Sequence, residues 1–223
     1  MSARPGGLGA VLFDMDGTLV DTEVLWWEAA AEVAGGLGHR LTDADAPQVV
    51  GRAVEDTAAH LVRSAGGGDP AGTAALLTER FLRRVEAGAP LRPGARRLLT
   101  ALEAEGVPFA LVSASPRLVV DSVVGGSLAR VPFAFTVSAD DTGRTKPHPD
   151  PYREAAGRLG LTPGACVAVE DSPDGAASAE AAGCGVLVVP SLLPVPPSPR
   201  RTFARSLEEV TPALLRRRAR PPV

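Results

Sequence analysis

Lysine is nearly absent from this chain: 23 residues are basic, and Lys146 is the only lysine among them. In a sequence so biased toward arginine, a lysine kept only for solvation is replaceable. The exception therefore marks a place where a compact ammonium and a planar guanidinium are not equivalent. Cysteine is also scarce, with two in 223 residues, which excludes a disulfide framework; Cys166 and Cys184 read as small buried thiols. There is no basic excess to attract nucleic acid, since 26 acidic residues outnumber the basic ones and the formal net charge is −3. Long apolar runs are missing too. The longest, AVLF, FALV and GVLVV, fall far short of the ~20 residues that cross a bilayer. The opening MSARPGGLGA leads directly into an apolar stretch, leaving no room for a signal peptide's apolar region and cleavage site. The expected setting is cytoplasmic, with neither membrane nor nucleic acid nor an obligate protein as partner.

What is present is a rhythm of short β-like runs at Ala10–Phe13, Phe109–Val112, Phe133–Val137, Cys166–Val169 and Val186–Val189, the last four separated by helix-like segments. Pro93-Gly94, Pro149-Asp150-Pro151 and Ser172-Pro173-Asp174 open helices that end at Gly106, Gly160 and Gly183. Alternation of this kind predicts an α/β fold with a Rossmann-like parallel sheet. One gap breaks the period. Far more chain separates the first two strands than the ~30 residues of a crossover unit. The intervening pattern predicts helices at Thr22–Ala34, Asp43–Val50, Val54–Ser64 and Ala71–Glu86, broken by Gly35-Gly36, Gly51 and Gly66-Gly67-Gly68. The predicted organisation is a core of residues 1–20 and 90–223 carrying an inserted α-helical cap of residues 21–89. The proline-rich SLLPVPPSP reads as a loop, and the terminal RRRARPPV as a frayed, solvated end.

In an open parallel sheet, ligands bind beyond the carboxyl ends of the strands. Four polar clusters fall there: Asp14-Met15-Asp16-Gly17-Thr18 after the first strand, Ser113-Ala114-Ser115 after the second, Lys146 after the third and Glu170-Asp171 after the fourth. Asp14, Asp16, Asp171 and Glu170 gathered at one point repel one another and require a cation or bound protons. An all-oxygen donor set suits Mg²⁺, which commonly shares its shell with a substrate phosphate. Lysine beside that site then has a reason, because a point charge on a flexible stem can neutralise a carboxylate and a phosphoryl oxygen together. Taken singly, Asp16-Gly17 is a common turn, and Ser115 reads as the cap of a helix beginning at Pro116.

The motifs FDMDGTLVDTE, LVSAS, RTKPHPDPY and VEDSPDGAASAEAAG, in this order, resemble those of the haloacid dehalogenase superfamily, in the branch with a helical cap inserted after the first motif. LRPGARRLL and SASP are similar to sequences in its hexitol- and 2-deoxyhexose-phosphate phosphatases. The resemblance implies a Mg²⁺-dependent phosphatase acting on a small phosphorylated sugar, polyol or related metabolite. It implies that Asp14 attacks phosphorus to form an aspartyl-phosphate, and that Asp16 first protonates the leaving alcohol and then takes a proton from water. Ser113, Lys146 and the amides of Met15, Asp16 and Ala114 would hold the phosphoryl oxygens. The metal set it implies is Asp14, Asp171 and the Asp16 main-chain carbonyl, with Glu170 acting through water. Asp16 argues against a dehalogenase, which lacks an acid at this place.

The cap separates phosphatase from the alternatives. Where β-phosphoglucomutases carry a histidine on the first cap helix this chain aligns Trp26, and where they carry an arginine on the following helix it aligns Val54. Glu23 lies within one helical turn of the hinge and is a candidate substrate contact, as are Arg52 and Arg80, whose other reading is as solvated charges. Trp26 and Trp27 read as cap-core residues. A phosphosugar mutase and a non-catalytic phospholigand sensor remain the competing readings.

Overall fold

The computed structural model describes residues 8–50, 52 and 54–218. Six parallel strands form one sheet in the order β3-β2-β1-β4-β5-β6. They are β1 (Ala10–Phe13), β2 (Phe109–Val112), β3 (Thr136–Val137), β4 (Cys166–Glu170), β5 (Gly185–Val188) and β6 (Arg201–Phe203). The four central strands, AVLF, FALV, CVAVE and GVLV, are buried at every position, which is why they read as continuous apolar runs instead of alternating ones. Alternation persists in where the side chains go. Val11 and Phe13 enter one apolar cluster with Leu98, Leu99 and Leu102 of α5 (Ala95–Ala104) and Val119, Val120 and Val123 of α6 (Arg117–Gly125). Ala10 and Leu12 enter another, with Tyr152, Ala155 and Ala156 of α7 (Asp150–Arg158) and Ala176 and Ala179 of α8 (Pro173–Ala182). The result is three layers, helix on sheet on helix.

Between β1 and β2 lie α1 (Thr22–Gly36), α2 (Ala46–Val49), α3 (Val54–Ser64) and α4 (Pro70–Gly88). These helices share a third apolar cluster, built on Ala30, Val33, Ala34, Val49, Ala58, Leu61 and Leu77, with Trp26 and Trp27 packed against it. The chain's two crossings between sheet and helices run side by side: Asp21 N–H donates to Pro90 O at 2.8 Å and Arg92 N–H to Leu19 O at 2.9 Å, flanking a bridge between Val20 and Leu91.

The structure departs from the sequence pattern in four places. The span expected as one helix, Asp43–Val50, is a 3₁₀ turn at Asp43–Asp45 followed by α2, because Pro47 lacks an amide proton and sits in the first turn of a restarted helix. The third strand covers only Thr136–Val137; Phe133 packs edge-on against Phe109 at 5.5 Å instead of extending it. Strand β6 has no apolar run to announce it, being an edge strand of sequence RTF. Ser115 does not cap α6: Pro116 is the N-cap residue, without a side-chain cap bond, and the Ser115 hydroxyl is engaged elsewhere. The helix break expected at Gly51, the opening MSARPGG and the last five residues of RRRARPPV lie outside the described residues.

Candidate active site

The register of the central strands brings their carboxyl ends to one level. Phe13 is paired with Leu111 on one side and Val169 on the other, so Asp14, Ser113 and Glu170 all emerge together at the point where the strand order reverses. Asp14 is anchored there by its own amide, which donates to Val169 O at 3.0 Å. The loop that follows turns sharply at Gly17, whose φ is +77°. Gly17 is needed for a second reason. A Cβ at this position would lie 2.2 Å from Asp171 Oδ2, so glycine lets the loop pass against the opposite carboxylate.

Lys146 connects the clusters. Its Nζ donates to Asp14 Oδ1 at 2.6 Å, to Glu170 Oε1 at 2.7 Å and to Val112 O at 2.8 Å, using all three ammonium protons on acceptors from three strand ends. The side chain is 4% exposed, and a planar guanidinium could not present three protons from one point to these three oxygens. Glu170 is fully buried and also accepts a hydrogen bond from the Tyr152 hydroxyl, while Gly175 makes room for it: a Cβ there would fall 1.9 Å from Glu170 Oε2. Asp171 accepts from Thr18 Oγ1 at 3.4 Å on Oδ1 and from Ser191 on Oδ2. Asp16 has different surroundings, with only hydroxyl donors on its carboxylate: Thr22 at 2.6 Å on Oδ1, and Ser113 at 3.1 Å and Ser115 at 2.7 Å on Oδ2.

The electrostatics follow from burial. Removal from water pushes the Asp14 carboxyl well above the usual carboxylate range; Lys146 pulls the other way, and Glu170, Asp171 and Asp16 add to the rise. Burial and Glu170 push Asp171 up to about 7. Burial works against charge on Lys146, but Asp14 and Glu170 outweigh it and hold its pKa above the ordinary lysine value. One ammonium does not balance the surrounding carboxylates. Ligand oxygens of Asp14, Glu170 and Asp171 lie within 4.8 Å of one another, and Asp14 Oδ2 is buried with no hydrogen-bond partner among the described residues. An all-oxygen donor set with one buried carboxylate oxygen to spare fits a hard divalent cation.

Of the residues expected from sequence, Asp14, Lys146, Glu170 and Asp171 form one contacting group and Asp16 and Ser113 a second one at the same strand ends, with Met15 and Ala114 on the same two loops. The Met15 side chain itself points into the core. Glu23 stands in the first turn of α1 with Oε2 buried. Arg80 is paired with Glu32 at 3.1 Å, and Arg52 bonds Pro47 O at 3.0 Å from an exposed position. Trp26 is tied into the helical cluster through Val49 O at 2.9 Å and stacks edge-on against Phe81. Sequence reasoning placed Thr18 in the first polar cluster without a role, missed Thr22, Tyr152 and Ser191, and gave Ser115 the wrong partner. Tyr152 carried a signal as the only tyrosine, and Ser191 stands three residues past β5, where the strand-end rule already pointed.

The comparisons with known proteins agree with this geometry. The chain matches the haloacid dehalogenase-like hydrolase family over residues 8–183. It is 31% identical over 194 residues to hexitol phosphatase B of Escherichia coli (strain K12), covering 85% of this chain and 86% of that one. It is 33% identical over 195 residues to protein CbbY of Rhodobacter capsulatus, covering 82% and 86%. The crystal structure of CbbY from Rhodobacter sphaeroides in complex with phosphate superposes with a TM-score of 0.74 at 27% identity, over 91% of this chain and 96% of that one. On the match across most of its length, the chain belongs to the haloacid dehalogenase-like hydrolase family.

Proposed function

We propose that this protein is a Mg²⁺-dependent phosphatase that hydrolyses a small sugar, polyol or related phosphomonoester through an aspartyl-phosphate on Asp14. The observation that carries this reading is Lys146 Nζ held between Asp14 Oδ1 and Glu170 Oε1, beside the Asp14 oxygen left without a partner. In the first step an Asp14 carboxylate oxygen bonds to phosphorus as the ester P–O bond breaks. Asp16 gives its carboxyl proton to the departing oxygen, which leaves as an alcohol. In the second step Asp16 takes a proton from a water whose oxygen attacks phosphorus. The Asp14–phosphorus bond breaks, the carboxylate is regenerated and inorganic phosphate departs. The hydroxyls of Thr22, Ser113 and Ser115 support Asp16 in this exchange, since a proton on either oxygen can be redirected among neighbouring hydroxyl acceptors. Ser113 and the amides of Met15, Asp16 and Ala114 hold the phosphoryl oxygens, while the Lys146 ammonium, fixed beside Asp14, offsets charge that grows in the transition state. Bound Mg²⁺, held by Asp14, Asp171 and the Asp16 carbonyl with support from Glu170, would supply further compensation of phosphoryl charge.

Residues 21–89 form the cap of this reading, mounted on a core of residues 1–20 and 90–223; the separate apolar cluster and the paired crossings support that division. Glu23, one turn from the crossing, is the proposed cap contact with substrate. The names of hexitol phosphatase B and of a CbbY structure in complex with xylulose-(1,5)bisphosphate support a small phosphorylated sugar or polyol as substrate. Hydrolysis is favoured over a mutase because Trp26 is committed to the helical cluster and Val54 packs against it, so neither supplies charge or a proton-transfer group. Phosphate release across sugar, polyol and nucleoside monophosphates, with and without chelator, tests the reading: Mg²⁺-dependent release from a sugar or polyol phosphate is expected. Primer-dependent conversion of β-glucose 1-phosphate to glucose 6-phosphate would replace hydrolysis with a mutase reaction.

A further inference from the structure

The proline-rich segment after β5 begins at the cation site. Strand β5 ends at Val188, paired with Glu170, and the next amide, Val189 N–H, donates to Glu170 O at 2.7 Å, so the chain leaves the sheet fixed against the same residue pair that carries the carboxylates. Two residues on, Ser191 donates its hydroxyl to Asp171 Oδ2. Its Oγ also lies 2.9 Å from the position a Cβ on Gly17 would occupy, so the Asp171 carboxylate is confined between the β1 loop and the β5 loop. Beyond this point the segment turns outward, with Leu192 and Leu193 about half exposed, and is anchored again by Val195 in the core.

The two tethers on Asp171 are unequal. The Thr18 contact at 3.4 Å is at the limit of a hydrogen bond, whereas the Ser191 contact is close. We propose that Ser191 is a positioning residue for the cation site: its hydroxyl holds the Asp171 carboxylate in the orientation that turns an oxygen toward Asp14 and Glu170. The inference rests on the cation reading of the site. A carboxylate that ligates a metal depends on the hydrogen bonds behind it, and loss of such a partner typically lowers metal affinity by about 10- to 100-fold. Without the Ser191 hydroxyl, Asp171 retains only the long Thr18 contact and gains rotational freedom that must be lost again on each binding event.

Mn²⁺, titrated in the absence of substrate and followed by electron paramagnetic resonance of the free ion, reads this directly in the intact protein. The expected outcome is one Mn²⁺ per wild-type chain, an affinity lower by about 10-fold in Ser191→Ala, and near-complete recovery in Ser191→Thr, which restores the hydroxyl. Thermal midpoints measured in chelator should be alike in the three proteins. Wild-type affinity in Ser191→Ala overturns the inference. So does an equal loss in Ser191→Thr accompanied by a lowered midpoint, which would mark the loop as structural. The cation reading is tested separately by Asp171→Asn: if that variant binds Mn²⁺ as wild type does, or if wild type binds none, the site assignment fails and the role of Ser191 fails with it.

Discussion

The strand ends and the helices inserted between β1 and β2 are organised on opposite principles. At the strand ends nearly every polar side chain is tied down more than once: Lys146 by three acceptors, Asp16 by three hydroxyls, Asp171 by two. The helical segment has a small apolar cluster of its own; ion pairs such as Arg84 with Glu32 and Glu28 lie toward its surface, while the buried Asp45 carboxylate is held by Thr42, His39 and His60. Preorganised charge in a dry site stabilises a transition state because it does not reorganise during the reaction. Surface pairs contribute little and are easily exchanged. Under the proposed function, the chemistry belongs to the strand ends and substrate selection to the helices.

The comparison is broken most severely at Asp14. Asp14→Asn should abolish phosphate release while leaving far-UV circular dichroism and the thermal midpoint close to wild type, because the amide keeps the shape and loses the nucleophile. Lys146→Arg keeps the charge yet should raise the barrier by ~2–4 kcal/mol, read as a loss in kcat/KM at saturating Mg²⁺. In the helical segment, Leu61→Ala empties a fully buried position and should cost ~2–5 kcal/mol of local stability. Hydrogen exchange should then accelerate in α1, α3 and α4 while β1, β2 and β4 stay protected, and KM should rise more than kcat falls.

Two pH dependences sharpen the contrast further. In chelated protein, Asp171 has a folded pKa raised to about 7. The folded state therefore binds more protons than the unfolded chain, and stability should fall as pH rises from about 4 toward 7. Added Mg²⁺ should remove that slope. The smallest effect belongs to Asp45 in the helices, whose pKa is lowered by the Thr42 backbone amide first, then by His60, Thr42 Oγ1 and His39. Its contribution is complete above the ordinary aspartate value of about 4 and is lost as pH falls through the lower folded value. Asp45→Asn should remove that acid-side loss in hydrogen exchange of α3.

The same contrast explains what could be read from the residues alone. Buried parallel strands announce themselves because both faces are apolar, and polar residues that interrupt those runs mark the strand ends; β1, β2, β4 and β5 and the polar clusters beyond them were legible that way. Edge strand β6 was hidden because an edge needs no apolar pattern, and Pro47 split a helix that periodicity had joined. Ser115 has the composition of a helix cap and sits where a cap belongs. Only the position of Asp16, 99 residues away, turns its hydroxyl to another use. The partners of Ser191 and Tyr152 were hidden for the same reason, since they are fixed by sheet register and not by neighbours in sequence.

The central claim is that phosphorus bonds to Asp14 before water arrives. Acid quench during steady-state turnover, reduction of acyl phosphates with borohydride and peptide mass spectrometry locate such a bond. The account predicts conversion of Asp14 to homoserine in wild type, dependent on substrate and Mg²⁺ and absent from the Asp14→Asn variant. Unmodified Asp14 in enzyme quenched during a phosphate burst, or a phosphoryl group trapped on another side chain, would contradict it.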